Sequence, residues 1–347
     1  MRDTGITSTG PVSGELGDSN PCRRAICHTE HRWIVTPRRY TVLMLTTTTT
    51  TTTSTVALTR ARSLTDQICD GSTLTERIDA LLAGWNLDAS SVYAAREAIA
   101  SMRHRYGFKR TAVALLTSPD ANAKLLKGKR PAYGLTLQSH VMRLTDGSRV
   151  NACPSAGHCV RVCVLNNGSG RYASVQRARD YRTELFATDP LAALTLIGAE
   201  LRRAVSKAHD PMGKNLGITF RPNVNSDVDW HRVIGSTLTE LPGIASYGYS
   251  KRPASIGSTA LTVEAYSWSE RTTDADLAAC DRTGSPIAAV TNRRPGDPIA
   301  QWHPTRRVVD ADLTDEWMFD GAVIGDLSAK GKARQLIGKS GFVRVVY

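Results

Sequence analysis

The fold of this chain is constrained most strongly by an alternation of β-rich runs and helical stretches over most of its length. Residues 189–210 carry Asp189 as an N-cap, Pro190 at the first helical position and an apolar face, a pattern that predicts a helix. Further helical stretches lie near Val228 and Asp274. The runs of strand length are LGITFRPNV, IASYGYS, ALTVEAYS, PIAAVT, AVIGDLS and GFVRVVY. Such alternation predicts the α/β class with a largely parallel sheet, open or closed into a barrel, and we favour the barrel-like form.

The sequence divides into three predicted regions. Residues 1–63 are rich in Thr, Ser, Gly, Pro and Arg, so we expect a disordered, low-complexity N-terminal extension. Residues 64–110 are expected to form a small N-terminal helical cap, because the capping box TLTE ends at Glu76 and Asp88 precedes a second helix. The apolar stripe of that second helix consists of Val92, Ala95, Ile99, Met102 and Tyr106. Residues 111–347 form the predicted α/β domain.

The charge balance favours a polyanionic partner. Lys and Arg total 44 against 32 Asp and Glu, which favours a nucleic acid or a nucleotide as ligand. Seven cysteines, spread unevenly, do not resemble the disulfide framework of a small secreted domain, so we expect reduced thiols and a cytoplasmic protein. The apolar run in PRRYTVLML is too short for a signal core or a membrane span, and we expect no membrane partner. The oligomeric state is left open.

A cluster of cysteines in the stretch NACPSAGHCVRVC is the strongest local signal for a site. Cys153, Cys159 and Cys163 lie within one short loop, whose Pro and Gly residues favour turns. Thiolates are soft ligands for zinc, iron–sulfur clusters and copper(I), and the short spacings allow one loop to surround a metal. Either His140 or His158 could supply a fourth ligand. We therefore expect zinc or an iron–sulfur cluster, without a choice between them.

Two other interpretations of the cysteine cluster stay open. Cysteine is often a small buried apolar residue, and Val160, Val162 and Val164 alternate around the last two cysteines. A dithiol redox pair is the other interpretation. The sequence alone does not separate these from a metal site.

Polar residues follow several of the predicted strands. Because the carboxyl ends of parallel strands meet at one edge of a sheet, these residues are expected to share one cleft. They could supply anion binding, acid–base chemistry and metal coordination. The set is Arg221, Asp227, Lys251, Arg252, Glu270, Asp310, Asp312 and Lys330. For each of them, capping an element or pairing with a surface neighbour is the alternative.

A basic helix is predicted in RYASVQRARDYRTELF. Its arginines and tyrosines would suit a nucleic-acid face, although an ordinary exposed basic helix has the same composition. The residues concerned are Arg171, Arg177, Arg179 and Arg182, with Tyr172 and Tyr181.

The order of several motifs resembles the gene product 88 family of actinobacterial phages. The motifs are NAKLLKG, YGLTL, CPSAGHCVRVC, RPNVNSDVDW, SYGYSKR, SWSER and GDLSAKGKAR, spread over about residues 120 to 340. The resemblance implies a phage or prophage protein of the host cytoplasm, in a family without an established activity. It also implies functional positions at Arg221, Asn223, Ser226, Asp227, Tyr247, Tyr249, Ser250, Lys251, Ala329, Lys330 and Gly331. The chain departs from the family pattern at Pro222 and in its long front end.

Two hypotheses of function follow. In the first, the chain is an enzyme that uses a cysteine-ligated metal or iron–sulfur cluster on a nucleotide or nucleic acid, with Asp227, Lys251 and Glu270 as catalytic groups. In the second, it is a non-catalytic nucleic-acid-binding phage protein in which zinc braces the cysteine loop. The residues expected to bind substrate are Arg221, Asn223, Ser226, Tyr249, Arg252 and Lys330. The sequence alone does not decide whether the chain is an enzyme.

Overall fold

The computed structural model describes residues 61–69, 76, 87–121, 125, 127–166, 168–208, 217–234, 242–252 and 262–346. Residues 1–60 of the predicted extension lie outside the described residues, as does the predicted capping box up to Thr75. The boundaries at residues 63 and 110 stay predictions.

The described residues form eleven β-strands in two sheets. The strands are β1 Arg62–Ser63, β2 Ala132–Gly134, β3 Val141–Arg143, β4 Arg149–Asn151, β5 Ile218–Arg221, β6 Ile244–Ser250, β7 Thr262–Ser267, β8 Ile287–Thr291, β9 Val308–Asp310, β10 Ile324–Ser328 and β11 Val343–Arg344. All six runs that the sequence predicts to be strands contain one of these strands.

The main sheet is parallel and follows the order β2–β5–β6–β7–β8–β10–β9. Two strands pair with successive parts of β8. β7 pairs with Ile287 and Ala288, and β11 pairs with Val290 and Thr291. The predicted α/β class and largely parallel sheet are confirmed. The barrel-like form is not closed, because β2 and β9 lie at opposite ends of the sheet and do not pair with each other among the described strands. An antiparallel bridge to Thr117 covers part of the outer edge of β2.

A small second sheet has the order β1–β4–β3. β3 and β4 form an antiparallel hairpin in which Arg143 lies opposite Arg149, and β1 pairs parallel with β4. The hairpin follows β2 in the chain and leads directly into the cysteine loop, which we define as residues 153–163.

Six α-helices lie in the described part of the chain. They are α1 Leu64–Cys69, α2 Ala89–Arg105, α3 Ala173–Thr188, α4 Pro190–Lys207, α5 Trp230–Ile234 and α6 Asp274–Thr283. Shorter 3₁₀ turns include His158–Val162, Glu316–Asp320 and Gly331–Leu336.

The sequence signals for helix starts agree with the observed ends. Asp88 accepts a hydrogen bond from the backbone N–H of Ser91 at 2.8 Å and begins α2 as predicted. Asp189 caps α4 in the same way, through the N–H of Ala192 at 3.0 Å. These caps satisfy backbone donors that have no partner within the first turn of a helix.

The two faces of the main sheet pack against different partners, because side chains alternate along each strand. One face contacts the helices, where Phe220 and Ile244 join a core with residues of α2, α3 and α4. On the other face, Tyr247 packs with Trp317 and Met318. The α2 stripe residues Ala95, Ile99 and Met102 are buried in the helical core, so α2 shares that core with α3 and α4. Within the described residues, no helix is long and apolar enough to span a membrane.

Candidate functional site

The cysteine loop lies over the carboxyl ends of the central strands. Cys159 and Val162 pack in one apolar cluster with Val290 near the end of β8, Ala329 just after β10, and Phe342. A loop in this position follows the general rule that parallel α/β sheets place their sites beyond the carboxyl ends of the strands.

The other two cysteines of the loop face neighbouring loops. Cys153 Sγ donates to the carbonyl oxygen of Asn225 at 3.5 Å, and Cys163 Sγ donates to Ser139 Oγ at 3.5 Å. The backbone N–H of Asp227 donates to the carbonyl of Ala152 at 2.8 Å, which ties the loop after β5 to the start of the cysteine loop. All three cysteines are half-buried.

The three thiols share one electrostatic neighbourhood. The pKa of the Cys153 thiol is raised to about 12, mainly by burial; a backbone hydrogen bond at His140 opposes the rise, and the neighbouring Asp227, Cys163 and Cys159 add to it. Burial also raises the pKa of Cys159, while the positive charge of Lys251 opposes the rise. Both thiols are therefore protonated near neutral pH unless a cation joins them. Within the described residues, no three His, Cys, Asp or Glu side chains converge closely enough to hold a metal ion.

An open cleft of about 500 Å³ borders the cysteine loop, and His140, Gly157, His158 and Glu270 contribute to its lining. Three buried polar atoms in these residues have no hydrogen-bond partner: His140 Nδ1, His158 Nδ1 and Glu270 Oε2. His140 also has a left-handed backbone, with φ 60°, which is uncommon for a residue other than glycine. Unpartnered buried atoms together with an unusual backbone conformation are typical of functional sites.

Glu270 is held in this cleft by the loop itself. Its Oε1 accepts a hydrogen bond from the backbone N–H of His158 at 2.7 Å. Burial raises the pKa of Glu270, but that hydrogen bond, one from its own N–H, and the charges of His158 and Arg271 bring the pKa below its ordinary value. Gly157 lies against the carboxylate so closely that a Cβ there would be 1.8 Å from Oε1. The carboxylate is thus ionised and fixed in place.

The predicted residues after β5 hold one another through hydrogen bonds. Asn223 Oδ1 accepts from Ser226 Oγ at 2.9 Å, from Trp230 Nε1 at 3.1 Å and from the N–H of Val228 at 3.1 Å. Asp227 accepts from Ser250 Oγ at 2.7 Å. The side-chain oxygen of Asn223 is therefore saturated, and Asn223 shapes the loop that positions Asp227.

Arg252 lies among three carboxylates next to that loop. Its guanidinium contacts Asp229 closely, whereas Asp227 and Glu264 lie 3.6 and 3.7 Å away. Burial raises the pKa of Glu264 to about 7; Arg252 opposes the rise, and the charges of Asp227 and Asp229 add to it. Arg252 Nε has no hydrogen-bond partner. The charge of Arg252 is already engaged by protein groups.

Arg221 and Tyr249 lie on the other face of the sheet, away from the helices. Arg221 Nη1 pairs with Asp315 Oδ2 at 2.7 Å, and Tyr249 Oη donates to Asp315 Oδ1 at 2.7 Å. The Arg221 guanidinium also lies 5.0 Å from the Tyr249 ring and 5.7 Å from the Tyr247 ring. A second cleft, of about 290 Å³, borders this cluster through Tyr247, Asp315 and Glu316.

Lys330 belongs to a third group, at the carboxyl ends of β8, β9 and β10. Its Nζ donates to Asp312 Oδ1 at 2.6 Å. Arg293 Nη2 contacts Asp310 and Asp312 at 3.0 and 3.2 Å, and Arg293 Nε lies 3.4 Å from Asp326 Oδ1.

The predicted site residues thus divide into three groups. Asp227, Lys251 and Glu270 share the neighbourhood of the cysteines, with Asn223, Ser226 and Arg252 beside them. Arg221 and Tyr249 lie on the opposite face, and Lys330 pairs with Asp312. Sequence reasoning missed Glu264, Asp315 and Arg293. Parity along the strands could have identified Glu264 as a polar residue within an apolar strand, but no local signal identifies the other two.

A comparison with protein families identifies the group to which the chain belongs. A family model described as gene product 88 matches residues 114–345. The chain belongs to the gene product 88 family. In this gene product 88 protein, the matched region contains the whole main sheet, the β3–β4 hairpin and the cysteine loop, whereas α1 and α2 precede it. Searches of curated proteins and of solved structures found no match.

Proposed function

We propose that this gene product 88 protein is a phage or prophage enzyme of the host cytoplasm that uses a metal ion or an iron–sulfur cluster on a nucleotide or nucleic acid. One observation carries the proposal. The thiols share a neighbourhood with Lys251 and with a cleft in which His140, His158 and Glu270 each keep an unpartnered buried atom. Each such atom costs about 1–3 kcal/mol, so three in one cleft favour a bound ligand.

The chemistry of the donors fits such a group. Cys153, Cys159 and Cys163 would supply thiolates, and His140 or His158 a nitrogen, which are ligands of both zinc and iron–sulfur centres. Because no trio converges among the described side chains, binding requires the loop side chains to reorient. A bound metal would deprotonate thiols that are otherwise protonated, and it would supply Lewis acidity or an electron.

The residues around the cysteines would transfer protons, bind substrate and position one another. Glu270 is ionised at neutral pH and keeps Oε2 without a partner, so it is the group we expect to accept a proton from substrate. Lys251, whose positive charge acts on Cys159 in the same neighbourhood, would contact a substrate phosphate. Asp227 would position Lys251, whose backbone N–H lies 3.4 Å from Asp227 Oδ2. Asn223 and Ser226 would fix the loop, and Arg252 would orient Asp227.

The remaining predicted substrate residues lie further from the cysteines. Lys330 is exposed and pairs with Asp312, so it would contact only an extended substrate. Arg221 and Tyr249 would act, if they bind substrate, through the cleft beside Asp315 rather than through the cysteine cleft.

Purification without oxygen tests the metal centre most directly. We expect a coloured protein with iron and acid-labile sulfide, or a colourless protein with about one zinc per chain, as thiolate sites of these two kinds require. A Cys153→Ser, Cys159→Ser, Cys163→Ser triple variant should lose that metal, whereas Cys280→Ser should retain it, since Cys280 is buried in the α6 core. Wild-type protein that is folded but contains neither iron nor zinc after this purification would contradict the proposal.

A second candidate is a non-catalytic nucleic-acid-binding protein in which zinc braces the loop. The observation that favours it is the number of exposed arginines on α3, on the turn before it and on the β3–β4 hairpin, namely Arg143, Arg149, Arg171 and Arg177. Zinc without iron, together with salt-sensitive DNA binding and no turnover of nucleotides or DNA, would favour this candidate over the enzyme.

A further inference from the structure

We propose that a basic face, built from the end of α2 with the residues that follow it, the start of α3 with the turn that precedes it, and the β3–β4 hairpin, binds the sugar–phosphate backbone of a nucleic acid. The face is defined by Arg103, Arg105, Lys109, Arg143, Arg149, Arg171 and Arg177. The inference rests on the proposed function in that it names where the nucleic acid would dock. Its residues come from three segments that are distant in sequence.

The end of α2 and helix α3 are joined through aromatic rings. Phe108 and Tyr181 pack edge to face with ring centroids 5.7 Å apart. The guanidinium of Arg103 lies 5.0 Å from the centre of the Phe108 ring, and that of Arg177 lies 5.2 Å from it. Arg103 Nη1 also donates to Tyr181 Oη at 3.3 Å. Two guanidiniums are thus held on one ring, which reduces the conformational entropy they would lose on binding a phosphate.

The hairpin joins the same face through a buried carboxylate. Glu184 Oε2 accepts from the backbone N–H of Thr145 at 3.0 Å and from Tyr106 Oη at 2.5 Å, and Glu184 Oε1 lies 3.6 Å from Arg105 Nη1. This single carboxylate connects α2, α3 and the hairpin turn. Glu184 carries one negative charge against the seven cations of the face, so the face keeps a net positive charge.

Arg105 is paired with Glu184, and the acid in the hairpin turn, Asp146, accepts hydrogen bonds from Ser148, so most cations of the face keep their charge towards solvent. Arg143 and Arg149 are directly opposite each other across the hairpin, and like charges in that position are destabilising. Within the part of the chain that the structure describes, neither guanidinium lies within ion-pair distance of a carboxylate, and the same holds for Arg171 and Arg177. A repeating polyanion would relieve this repulsion, as phosphates do for arginine clusters.

Two further observations favour a nucleic acid over a smaller anion. Tyr172, at the start of α3, is 66% exposed, and its ring could stack on a base. Helix α3 also extends towards the cysteine loop, since the buried Arg179 interacts electrostatically with Cys163. A strand on the basic face would therefore run along the same helix that borders the proposed catalytic centre. The burial of Arg179 corrects the sequence-based expectation that it belongs to the exposed basic face.

The test compares two triple variants of the full-length chain that remove the same charge. Arg143→Gln, Arg149→Gln and Arg177→Gln remove cations of the basic face, whereas the control Arg282→Gln, Arg294→Gln and Lys339→Gln removes exposed cations elsewhere. Binding of labelled single-stranded and duplex DNA is measured by fluorescence anisotropy between ~50 and ~200 mM salt. We expect at least about tenfold weaker binding for the first triple, with a salt-dependence slope lower by about two to three, and little change for the control.

Several results would overturn the inference. Wild-type chain that binds neither DNA at low salt, equal losses for the two triples, or binding to anionic lipid vesicles without binding to DNA would each do so. Failure of the metal centre is distinguishable. If the Cys153→Ser, Cys159→Ser, Cys163→Ser variant loses no metal but the basic-face triple loses DNA binding, the docking surface stands and the proposed centre falls.

Discussion

Two arginines of this protein each face three carboxylates at the carboxyl edge of the sheet, yet they differ in how well they are paired. Arg293 is 4% exposed and lies within 3.4 Å of oxygens on Asp310, Asp312 and Asp326. Arg252 is 22% exposed, contacts one carboxylate closely and lies 3.6–3.7 Å from the other two. The Arg293 network is closed, whereas Arg252 Nε lies 3.6 Å from Asp227 Oδ1 and makes no hydrogen bond.

This difference indicates that the Arg293 network stabilises the fold, whereas groups around the Arg252 cluster remain available for chemistry. The Asp326 carboxylate is completely buried, and it also accepts from Thr291 Oγ1 at 2.7 Å. Nothing in that network needs a ligand. Around the cysteine loop, in contrast, unpartnered atoms and a carboxyl with a raised pKa coexist within one region. Incomplete satisfaction is the physical signature by which a candidate site is separated from a structural ion-pair network.

The largest expected effect is on stability, from removing the well-paired arginine. Arg293→Ala removes the cation that the buried Asp326 shares with Asp310 and Asp312, and it should reduce the free energy of unfolding by about 3–5 kcal/mol. Arg252→Ala should cost about 1–2 kcal/mol, because two of its three carboxylate contacts are longer and solvent screens the cluster. Urea denaturation of the two variants measures the difference. Equal decreases in the free energy of unfolding would show that the Arg252 cluster is paired as well as the Arg293 network.

Glu264, in the Arg252 cluster, should make the stability of the protein depend on pH. Its pKa is raised from 4.5 to about 7 in the folded protein, so the folded chain keeps the proton that the unfolded chain loses first. Stability from this group is therefore present below pH 4.5 and is lost as pH rises towards 7. Glu264→Gln cannot ionise, so its advantage over wild type should grow from near zero at low pH to at most about 3 kcal/mol above pH 7.

The measurement for Glu264 is a series of urea denaturation curves across that pH range. Asp310→Asn, in the closed network, serves as the matched control and should show no gain of this kind. A stability difference between wild type and Glu264→Gln that does not change with pH would contradict the raised pKa.

The sequence predicts the fold better than it predicts the site. The alternation of strands and helices, the caps Asp88 and Asp189 and the six strand runs are local signals, and local signals reflect backbone hydrogen bonding and burial. Lys251 follows β6 at the carboxyl edge of the parallel sheet, as the strand-end pattern predicts, whereas the cysteine loop reaches that edge from β4 of the small sheet.

What the sequence could not supply are partners that only the tertiary structure brings together. Arg221 pairs with Asp315, 94 residues later, on the face of the sheet away from the helices. A period of two indicates that side chains alternate, but it does not reveal which face carries a cleft. No local sequence signal indicates whether the sheet is open or closed into a barrel, because closure depends on whether the first and last strands pair.

Gly157→Ala tests whether Glu270 is held by the loop. An added Cβ would lie 1.8 Å from Oε1, so the carboxylate must move and lose its hydrogen bond from the N–H of His158. We expect a loss of about 1–2 kcal/mol in the free energy of unfolding, together with a fall in any metal affinity or turnover. Gly338→Ala, with φ 67° but nothing near its Cβ, is the control and should change stability alone.

The smallest effect on stability, and the most informative one for function, is expected from Cys159→Ser. The thiol is half-buried beside apolar residues, so the metal-free protein should lose less than about 1 kcal/mol. Metal content, measured by elemental analysis after anaerobic purification, should fall sharply, because a hydroxyl is a poor ligand for zinc and iron–sulfur centres. Cys69→Ser, which alters a half-buried cysteine outside the loop, should leave metal content unchanged. If Cys159→Ser retained full metal, the cysteine loop would be packing of the same structural kind as the Arg293 network, and the contrast between the two regions would disappear.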